Sequence, residues 1–323
     1  MAQKIVMTDL GGFPDFAIEE GIAGKQGFDF VCLKTTKEDE IIAGAKDADG
    51  LIVVYAQITE KVINALDKCK IIVRTGIGFN NIDIEAASRK GIMVANVPDY
   101  CQGEVADHTM ALLLTLVRKV SFLGNQVKKQ NWSFIEAKPI PRLAETVLGL
   151  YGCGSIAQAV AKRAQAFDIS VQGFDPYLPD EVYAKLGIKK VDADTLFATS
   201  DFISLHAPLT PETQHVVNMA NLKKMKKTAV VINTARGPLV NADDVYTALK
   251  EGIIAGAGLD VMETEPPAFP LSLTELENAI VTPHAAYYSD SSEPELRQKA
   301  TLEVVRTLTE GQPKFWLNKK AFS

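Results

Sequence analysis

A glycine-rich turn between a strand pattern and a helix pattern is the strongest constraint on how this chain folds. The apolar run 147–151 meets Gly152-Cys-Gly154-Ser-Ile-Ala157, and residues 156–167 then carry apolar side chains at helical spacing. In such a strand–turn–helix context the first glycine allows the tight turn, the second lets the backbone approach a pyrophosphate, and a small third residue permits close packing. Asp175 follows another apolar run about 20 residues further on, where a carboxylate binds the hydroxyls of an adenosine ribose. The pattern predicts a dinucleotide site; its alternative is a purely structural turn.

Alternating strand and helix patterns fill most of the remaining chain. Before the glycine turn, strands are predicted at residues 4–8, 28–33, 50–55, 71–73 and 91–94. After it, strands are predicted at residues 169–174, 188–191, 201–205, 229–232, 254–259 and 279–281, with helices between them. The run 50–55 is almost continuously apolar, as is typical of strands that are buried on both faces. The alternation predicts an α/β fold with two doubly wound parallel sheets, the second of six or seven strands.

One long helical segment interrupts this alternation. Residues 104–120 carry a helical pattern that continues into a polar stretch at 126–131. The segment is interpreted either as a connecting helix between two α/β units or as an oligomer interface, and the sequence does not separate the two. A further helix, at 295–309, follows neither unit's pattern clearly.

The composition argues against several classes of protein. No stretch approaches the roughly 20 apolar residues of a transmembrane helix, and residues 1–7 lack signal-peptide architecture, so we expect a cytoplasmic protein without a membrane partner. Four scattered cysteines (32, 69, 101 and 153) show no zinc spacing, which is typical of reduced thiols. A net charge of −6 without a long basic block argues against a nucleic-acid partner.

The histidines and the motif content exclude other chemistries. No two of the four histidines lie four residues apart beside a glutamate, so no helical metal site is expected. The chain also lacks G-x-S-x-G and a Walker loop, which excludes the hydrolase elbow and phosphoryl transfer on a Walker loop.

Three successive strands of the second unit are followed by residues that suit hydride transfer. Arg236, with Gly237 behind it, follows the strand at 229–232 and can grip a carboxylate with its planar fork. Glu265 follows the strand at 254–259, and His284 follows the strand at 279–281. Ligands of open parallel sheets bind at the carboxyl ends of the strands, so we expect these side chains to meet there. A glutamate paired with a histidine fixes the imidazole tautomer and favours its protonated form, which is a competent acid.

Each of these residues has a plainer interpretation when it is taken singly. Arg236 can bridge to a neighbouring loop, and a histidine that follows a proline, as His284 does, is more often structural. The combination of arginine, glutamate and histidine on successive strand ends of a nucleotide-binding unit favours a catalytic site.

The ordered set of motifs resembles the D-isomer-specific 2-hydroxyacid dehydrogenase family over nearly the whole chain. The segments that carry the resemblance are 74–83 (RTGIGFNNID), 91–98 (GIMVANVP), 152–157 (GCGSIA), 233–237 (NTARG), 259–266 (LDVMETEP) and 282–284 (TPH). Within the family, residues 74–83 and 283–289 look most like the branch of the C-terminal-binding-protein corepressors, although that branch typically has tryptophan where Tyr287 stands. The phosphoglycerate dehydrogenase branch is the other close neighbour.

The resemblance implies an arrangement of two domains. Residues 1–98 and 288–323 would form a flavodoxin-like substrate domain, and residues 99–287 would form a Rossmann NAD-binding domain inserted into it. The active site would lie in a cleft that opens and closes by hinge motion near residues 96–100 and 285–289. The family also implies a homodimer.

The resemblance further implies roles for individual residues. His284 would protonate the carbonyl oxygen of a 2-oxo acid as hydride arrives from the nicotinamide, Glu265 would hydrogen-bond His284, and Arg236 would bind the substrate's carboxylate and carbonyl. The other implied substrate contacts are the backbone amides of Thr75, Gly76, Ile77 and Gly78, a plausible nest of N–H groups, and Tyr287. The implied cofactor contacts are Thr109, Gly152, Gly154, Ser155, Ile156, Asp175, His206, Ala207, Pro208, Thr213, Thr234, Ala235, Arg236, Asp260, His284 and Ala286.

Two departures from the family pattern concern the cofactor. Ala157 replaces the usual third glycine, which the motif tolerates because a methyl group still permits close packing. Ser155 stands where many members have arginine, which removes one phosphate contact. The stretch Asp175-Pro-Tyr177 lacks a basic residue for a 2′-phosphate, and Asp175 would repel one, so NAD is expected rather than NADP.

Two hypotheses on function therefore remain. The first is an NAD-dependent oxidoreductase that transfers a hydride between nicotinamide and C2 of a D-2-hydroxyacid or 2-oxoacid. The alternative is a corepressor-like binding protein that senses NAD(H) and shows little or no turnover. The three catalytic positions are filled, which favours the enzyme, but the corepressor branch retains them too. The sequence does not identify the acid.

Overall fold

The computed structural model describes residues 2–322, which divide into two compact units. One unit comprises the chain up to Cys101 together with the chain from Ser289 onward, and the other comprises Gln102–Tyr288. The chain therefore leaves the first unit, forms the whole of the second, and returns to complete the first.

The first unit is built on a five-stranded sheet in which every neighbouring pair of strands is parallel. Its strands are β1 (Lys4–Met7), β2 (Asp29–Cys32), β3 (Gly50–Val53), β4 (Ile71–Arg74) and β5 (Met93–Ala95). Its helices are α1 (Ala17–Lys25), α2 (Glu38–Ala45), α3 (Glu60–Ala65), α4 (Ile84–Arg89) and, after the second unit, α12 (Ser292–Glu310). The strand order is β2-β1-β3-β4-β5, the flavodoxin-like order.

The second unit opens with two consecutive helices, α5 (Gln102–Val117) and α6 (Val120–Lys128). Its strands are β6 (Val147–Tyr151), β7 (Ser170–Phe174), β8 (Lys189–Lys190), β9 (Phe202–Leu205), β10 (Val230–Asn233), β11 (Gly256–Leu259) and β12 (Ala279–Val281). Its other helices are α7 (Ser155–Gln165), α8 (Asp180–Leu186), α9 (Ala193–Thr199), α10 (Met219–Leu222) and α11 (Ala242–Lys250).

The seven strands of this unit pair in parallel in the order β12-β11-β10-β9-β6-β7-β8. The first strand, β6, lies in the interior, and the order runs outward from it in both directions, as in a doubly wound nucleotide-binding sheet. The carboxyl ends of β6 and β9 therefore lie side by side at the switch point, where such sheets bind their ligands. With the five-stranded sheet of the first unit, this confirms the predicted fold class.

Both faces of the seven-stranded sheet are covered by helices. Val230 and Ile232 pack with apolar residues of α5 and α7, whereas Val231 packs with residues of α9 and α11. Successive side chains of a strand point to opposite faces, so one apolar run supplies two cores. This accounts for the continuous apolar runs that predicted buried strands.

The expectation of one helix over residues 104–120 is wrong at its C-terminal end. Helix α5 ends at Val117, and Lys119 has φ +57°, in the left-handed region, before α6 begins. A non-glycine residue in that region cannot continue a right-handed helix. Helix α6 contains no buried residue, so its start does not follow from the apolar pattern of α5. No helix within residues 2–322 has both the length and the apolar character needed to cross a membrane.

Candidate active site

The glycine turn after β6 has the backbone that its sequence predicts. Gly152 has φ +87°, and a β-carbon there would lie 2.6 Å from the backbone nitrogen of Ala207, so only glycine fits. Gly154 differs, because a β-carbon there would meet no other atom of residues 2–322 within 4 Å. Gly154 and Ser155 are exposed, and no side chain of the described residues caps α7. The first-turn N–H groups of α7 can therefore bind an anion such as a pyrophosphate.

Asp175, at the end of β7, is oriented by backbone donors. Its two carboxylate oxygens accept hydrogen bonds of 2.9 Å from the amides of Cys153 and Tyr177. The buried Tyr183 hydroxyl donates to the carbonyl oxygen of Asp175 at 3.2 Å, which holds the backbone of the turn after β7 in place. The carboxylate is thus held beside the glycine turn, where the ribose of a dinucleotide lies.

An open depression of about 590 Å³ adjoins Asp175. Two lysines of the edge strand β8, Lys189 and Lys190, line it together with Asp192. Lys190 forms an ion pair with Asp180. These lysines lie 14 and 15 positions after Asp175 in the sequence, and the pairing of β8 with β7 brings them beside it.

The loop after β9 begins with His206, whose ring is neutral. The imidazole Nε2 of His206 lies 2.8 Å from the hydroxyl of the buried Ser204. Burial of the ring lowers the pKa of His206 to about 4, so the ring is uncharged at neutral pH.

The turn that follows His206 is held by a side-chain hydrogen bond. Pro208 is exposed, and its carbonyl accepts a 2.7 Å hydrogen bond from the hydroxyl of Thr213. Ala207 packs its backbone against Gly152.

The turn that carries Arg236 is shaped by Asn233, the last residue of β10. The Asn233 side chain is fully buried; its oxygen accepts from the amide of Ala235 at 3.0 Å, and its nitrogen donates to the carbonyl of Arg236 at 2.8 Å. Asn233 was not predicted as a site residue, although an asparagine at a strand end commonly folds the following turn in this way. A β-carbon on Gly237 would lie 1.9 Å from the carbonyl oxygen of Met262, so the next loop passes directly against the turn.

Thr109 and Thr234 contact one another inside the unit. Their hydroxyl oxygens are 2.8 Å apart, and the Thr109 hydroxyl also donates to the carbonyl of Val105. Thr109 has no exposed surface, because the side chain is enclosed by α5 and the loop after β10. The expected contact of Thr109 with the cofactor stays a prediction, and within the unit the Thr109 hydroxyl contacts the Thr234 hydroxyl.

Glu265 and His284 are in direct contact. Glu265 Oε2 lies 2.6 Å from His284 Nδ1, and Glu265 Oε1 accepts a 2.9 Å hydrogen bond from the amide of Met262. Burial alone raises the pKa of the Glu265 carboxyl group, but the hydrogen bond and charge of His284, the Met262 amide and the charge of Arg236 together lower that pKa below its ordinary value. The carboxylate is thus ionised at neutral pH and accepts from the ring.

The loop that carries His284 is held by Asp260, which is almost completely buried at the end of β11. The carboxylate of Asp260 accepts from the amides of Ala285 and Ala286, each at 2.9 Å, and from the hydroxyl of Thr282 at 2.6 Å. The Asp260 carbonyl accepts the amide of His284 at 2.7 Å. His284 has φ +52°, a conformation that persists only when its surroundings impose it, and Asp260 supplies that constraint. The ring of Tyr287 meets the imidazole edge-on, with 6.2 Å between centroids.

In the first unit, residues 75–78 form a turn directly after β4. Thr75 donates its amide to Val53, and Gly76, with φ +145°, donates to the carbonyl of Arg74. These two of the four expected carboxylate-binding amides are therefore already used within the unit. Within the described chain, the amides of Ile77 and Gly78 form no hydrogen bond.

The residues matched by one family fall within the second unit. Residues 110–286 match the family described as "D-isomer specific 2-hydroxyacid dehydrogenase, NAD binding domain". The chain belongs to the D-isomer specific 2-hydroxyacid dehydrogenase family. The match confirms the resemblance carried by the motifs, and it confirms that the unit around the glycine turn is the family's NAD-binding domain.

Relatives in this family are named as dehydrogenases and reductases. The chain is 44% identical to the D-3-phosphoglycerate dehydrogenase of Methanocaldococcus jannaschii over 77% of this chain, but the match spans only 47%, about half, of that relative's length. It is 38% identical to the hydroxypyruvate reductase of Thermotoga maritima over 84% of this chain and 87% of the relative. These names favour the enzyme over the corepressor-like alternative.

A solved structure extends the similarity to the fold. The D-lactate dehydrogenase from Aquifex aeolicus, complexed with NAD and lactic acid, is 31% identical and has a TM-score of 0.84. The comparison covers 95% of this chain and 96% of that chain. The two-sheet architecture expected from the motifs is thus that of a D-2-hydroxyacid dehydrogenase.

Proposed function

We propose that the protein is an NAD-dependent enzyme that transfers a hydride between nicotinamide and C2 of a D-2-hydroxyacid or 2-oxoacid. The observation that carries this proposal is the 2.6 Å contact between His284 Nδ1 and Glu265 Oε2. A carboxylate that accepts from Nδ1–H leaves Nε2 as the atom that exchanges a proton with substrate. When bound, the nicotinamide supplies or accepts the hydride.

The proposed chemistry uses three side chains. In the reducing direction His284 donates its Nε2 proton to the carbonyl oxygen as C2 gains the hydride, and the resulting hydroxyl returns that proton in the reverse direction. Glu265 stabilises the imidazolium form through Nδ1. Arg236 binds the substrate's carboxylate and carbonyl oxygen with its guanidinium group, and its charge already acts on Glu265.

The second unit offers a matching set of groups for NAD. The N–H groups of Ser155 and Ile156, at the start of α7, would bind the pyrophosphate, since the space above Gly154 is open. The Asp175 carboxylate would bind the ribose hydroxyls and disfavour a 2′-phosphate. Lys190 forms an ion pair with Asp180, and we retain NAD as the preferred cofactor on the charge of Asp175. Pro208, Thr234, Ala235 and Ala286 would line the nicotinamide half.

For the first unit, we propose that backbone amides after β4 bind the carboxylate of a small 2-oxo or 2-hydroxy acid. Among the expected amides, those of Ile77 and Gly78 are the ones that remain available. The carbonyl of Ile77 is held by the Asn96 side chain at 2.6 Å, and the carbonyl of Gly76 accepts the amide of Val97. These bonds fix the turn so that its N–H groups face one direction, as a nest requires. We also propose that Tyr287 contacts the substrate.

We further propose that the protein is a cytoplasmic homodimer. Apolar side chains are concentrated on the exposed segment after α5, where Trp132 is 89% exposed; the others are Val120, Val127, Phe134 and Ile135. Such a patch is typical of an interface, and a second copy of the chain would cover it. Sedimentation should give a dimer that Trp132→Glu weakens; a monomeric wild-type protein contradicts this.

The experiment that tests the proposed activity is NADH oxidation with glyoxylate, hydroxypyruvate, pyruvate and bulkier 2-oxo acids. We expect turnover with at least one of them, and a loss of at least about 100-fold in His284→Ala and Arg236→Ala. If NADH binds but none of the acids is reduced, the proposed activity is wrong. If turnover persists undiminished in both variants, the assigned roles are wrong.

A further inference from the structure

Helix α5 presents a histidine to the loop that carries His284. The imidazole Nε2 of His108 lies 3.0 Å from the hydroxyl oxygen of Thr282 and 3.5 Å from the carboxylate of Asp260. His108 is separated from Thr282 by 174 positions in the sequence. Its side chain is about one quarter exposed, whereas Asp260 is buried. We propose that His108 is a positioning residue for the catalytic histidine.

The hydrogen positions follow from the short contact between Thr282 and Asp260. A hydroxyl has one hydrogen, and an ionised carboxylate can only accept. At 2.6 Å, the Thr282 hydroxyl therefore donates to Asp260 Oδ1. The Thr282 oxygen can then only accept from His108, which requires a hydrogen on His108 Nε2. The three groups form a directed chain, from His108 through Thr282 to Asp260.

This chain ends on the residue that imposes the conformation of His284. Asp260 accepts the amides of Ala285 and Ala286 through its side chain and the amide of His284 through its carbonyl. Because His284 is held in the left-handed region, a displaced Asp260 carboxylate releases the loop toward a more ordinary backbone conformation. Such a shift moves the imidazole away from the 2.6 Å contact with Glu265.

The neighbouring residue on α5 makes the equivalent contact on the other catalytic loop. Thr109 contacts Thr234, which lies two residues before Arg236, at 2.8 Å. One turn of α5 therefore supports both the loop of Arg236 and the loop of His284. Of His108 and Thr109, His108 is the residue whose ring N–H can be replaced by a side-chain amide N–H in the same position.

The test compares three substitutions of His108, and it rests on the proposed function. In His108→Gln the side-chain amide nitrogen can occupy the position of Nε2 and donate to Thr282, whereas in His108→Asn the amide is too short to reach. His108→Leu removes the donor. We expect kcat for reduction of the best 2-oxo acid to fall about tenfold in the leucine and asparagine variants and to be largely restored by glutamine.

A double substitution separates the hydrogen-bond chain from general packing. Thr282→Val removes the middle member, so adding His108→Leu to it should cause no further loss of kcat. If the two losses multiply, or if glutamine fails to restore kcat while its Tm equals that of wild type, the positioning role is wrong. Equal activity in all three His108 variants also overturns it.

A measurement that needs no turnover distinguishes this inference from the proposed function. In the protein labelled with ¹⁵N-histidine, the His108 ring should carry its proton on Nε2 at neutral pH, and Thr282→Val should release that preference. A His108 ring protonated only on Nδ1 contradicts the inference even if the enzyme is active. Failure of the wild-type protein to reduce any 2-oxo acid, with the Nε2–H tautomer present, counts against the activity alone.

Discussion

The α-carbon of Gly237 packs so closely against Met262 that a β-carbon at position 237 would lie 1.9 Å from the Met262 carbonyl oxygen. Gly237 directly follows Arg236, and the amide of Met262 donates to Glu265. This one backbone contact therefore sets the distance between the loop that carries the arginine and the loop that carries the glutamate.

Gly237→Ala should separate these two loops. The methyl group cannot fit without backbone movement, so we expect a loss of about 100-fold in kcat/KM, together with about 1–3 kcal/mol of stability. Steady-state kinetics and chemical unfolding measure the two effects. Gly21→Ala is the matched control, since a β-carbon at Gly21, within α1, would meet no described atom within 4 Å, and it should keep wild-type kinetics. Equal kinetics in both variants would show that the contact is unimportant.

Glu265→Gln should slow reduction by His284. The amide keeps the size of the carboxylate but carries no negative charge beside His284 Nδ1, so kcat for reduction should fall by about 10- to 100-fold. The control is Glu263→Gln, because Glu263 pairs with His215 at 3.3 Å instead. Steady-state kinetics provide the measurement, and equal kcat in Glu265→Gln and wild type would contradict the assigned pairing.

Acid should destabilise the protein through His206. The folded ring has a pKa of about 4, against an ordinary value of 6.5, so between these two pH values the unfolded chain binds a proton that the folded chain does not. The free energy of unfolding should therefore fall as the pH drops from 6.5 toward 4, by up to about 1.4 kcal/mol per pH unit more in wild type than in His206→Gln. Urea unfolding across this pH range provides the measurement. Parallel pH dependence in the two proteins would mean that His206 is not the group responsible.

Asp175→Asn should reduce the preference for NADH over NADPH. The asparagine oxygen can still accept a backbone amide, but the repulsion of a 2′-phosphate is lost and one ribose contact weakens. We expect the Kd for NADH to rise about tenfold and the Kd for NADPH to fall. Fluorescence titration measures both. Asp194→Asn serves as the control, because Asp194 pairs with Lys224 on the surface. If the wild-type protein binds NADPH more tightly than NADH, the interpretation of Asp175 is wrong.

Local pattern was sufficient to predict most of the fold. Apolar runs predicted the strands because parallel strands buried on both faces have almost continuous apolar sequences, and the run at 229–232 overlaps β10, whose four residues are all buried. The short strand β8 is the weakest case: only Lys189–Lys190 pairs with β7. The break after α5 was missed because it depends on the left-handed backbone of Lys119, which apolar spacing does not encode.

The site was predictable only as far as residues follow strand ends. Arg236, Glu265 and His284 were found in that way, and their assignment as catalytic residues stays a prediction. Some of the contacts that hold their loops were not found because they join residues far apart in the sequence: Thr109 and Thr234 are 125 positions apart. The hydrogen bond from the Thr75 amide to the Val53 carbonyl was not predicted either, because these two residues are also distant in the sequence.

Isotope labelling of the transferred hydrogen tests the proposed hydride transfer between nicotinamide and C2 most directly. Among the 2-oxo acids of three or more carbons, whose products are chiral at C2, the one that supports the fastest NADH oxidation is reduced with NADH deuterated at the transferred position of C4, and the product is analysed for chirality and for deuterium at C2. Hydride transfer opposite Arg236 and His284 predicts a D-2-hydroxyacid with one deuterium at C2. An L-product, or a product without deuterium at C2, would contradict the account.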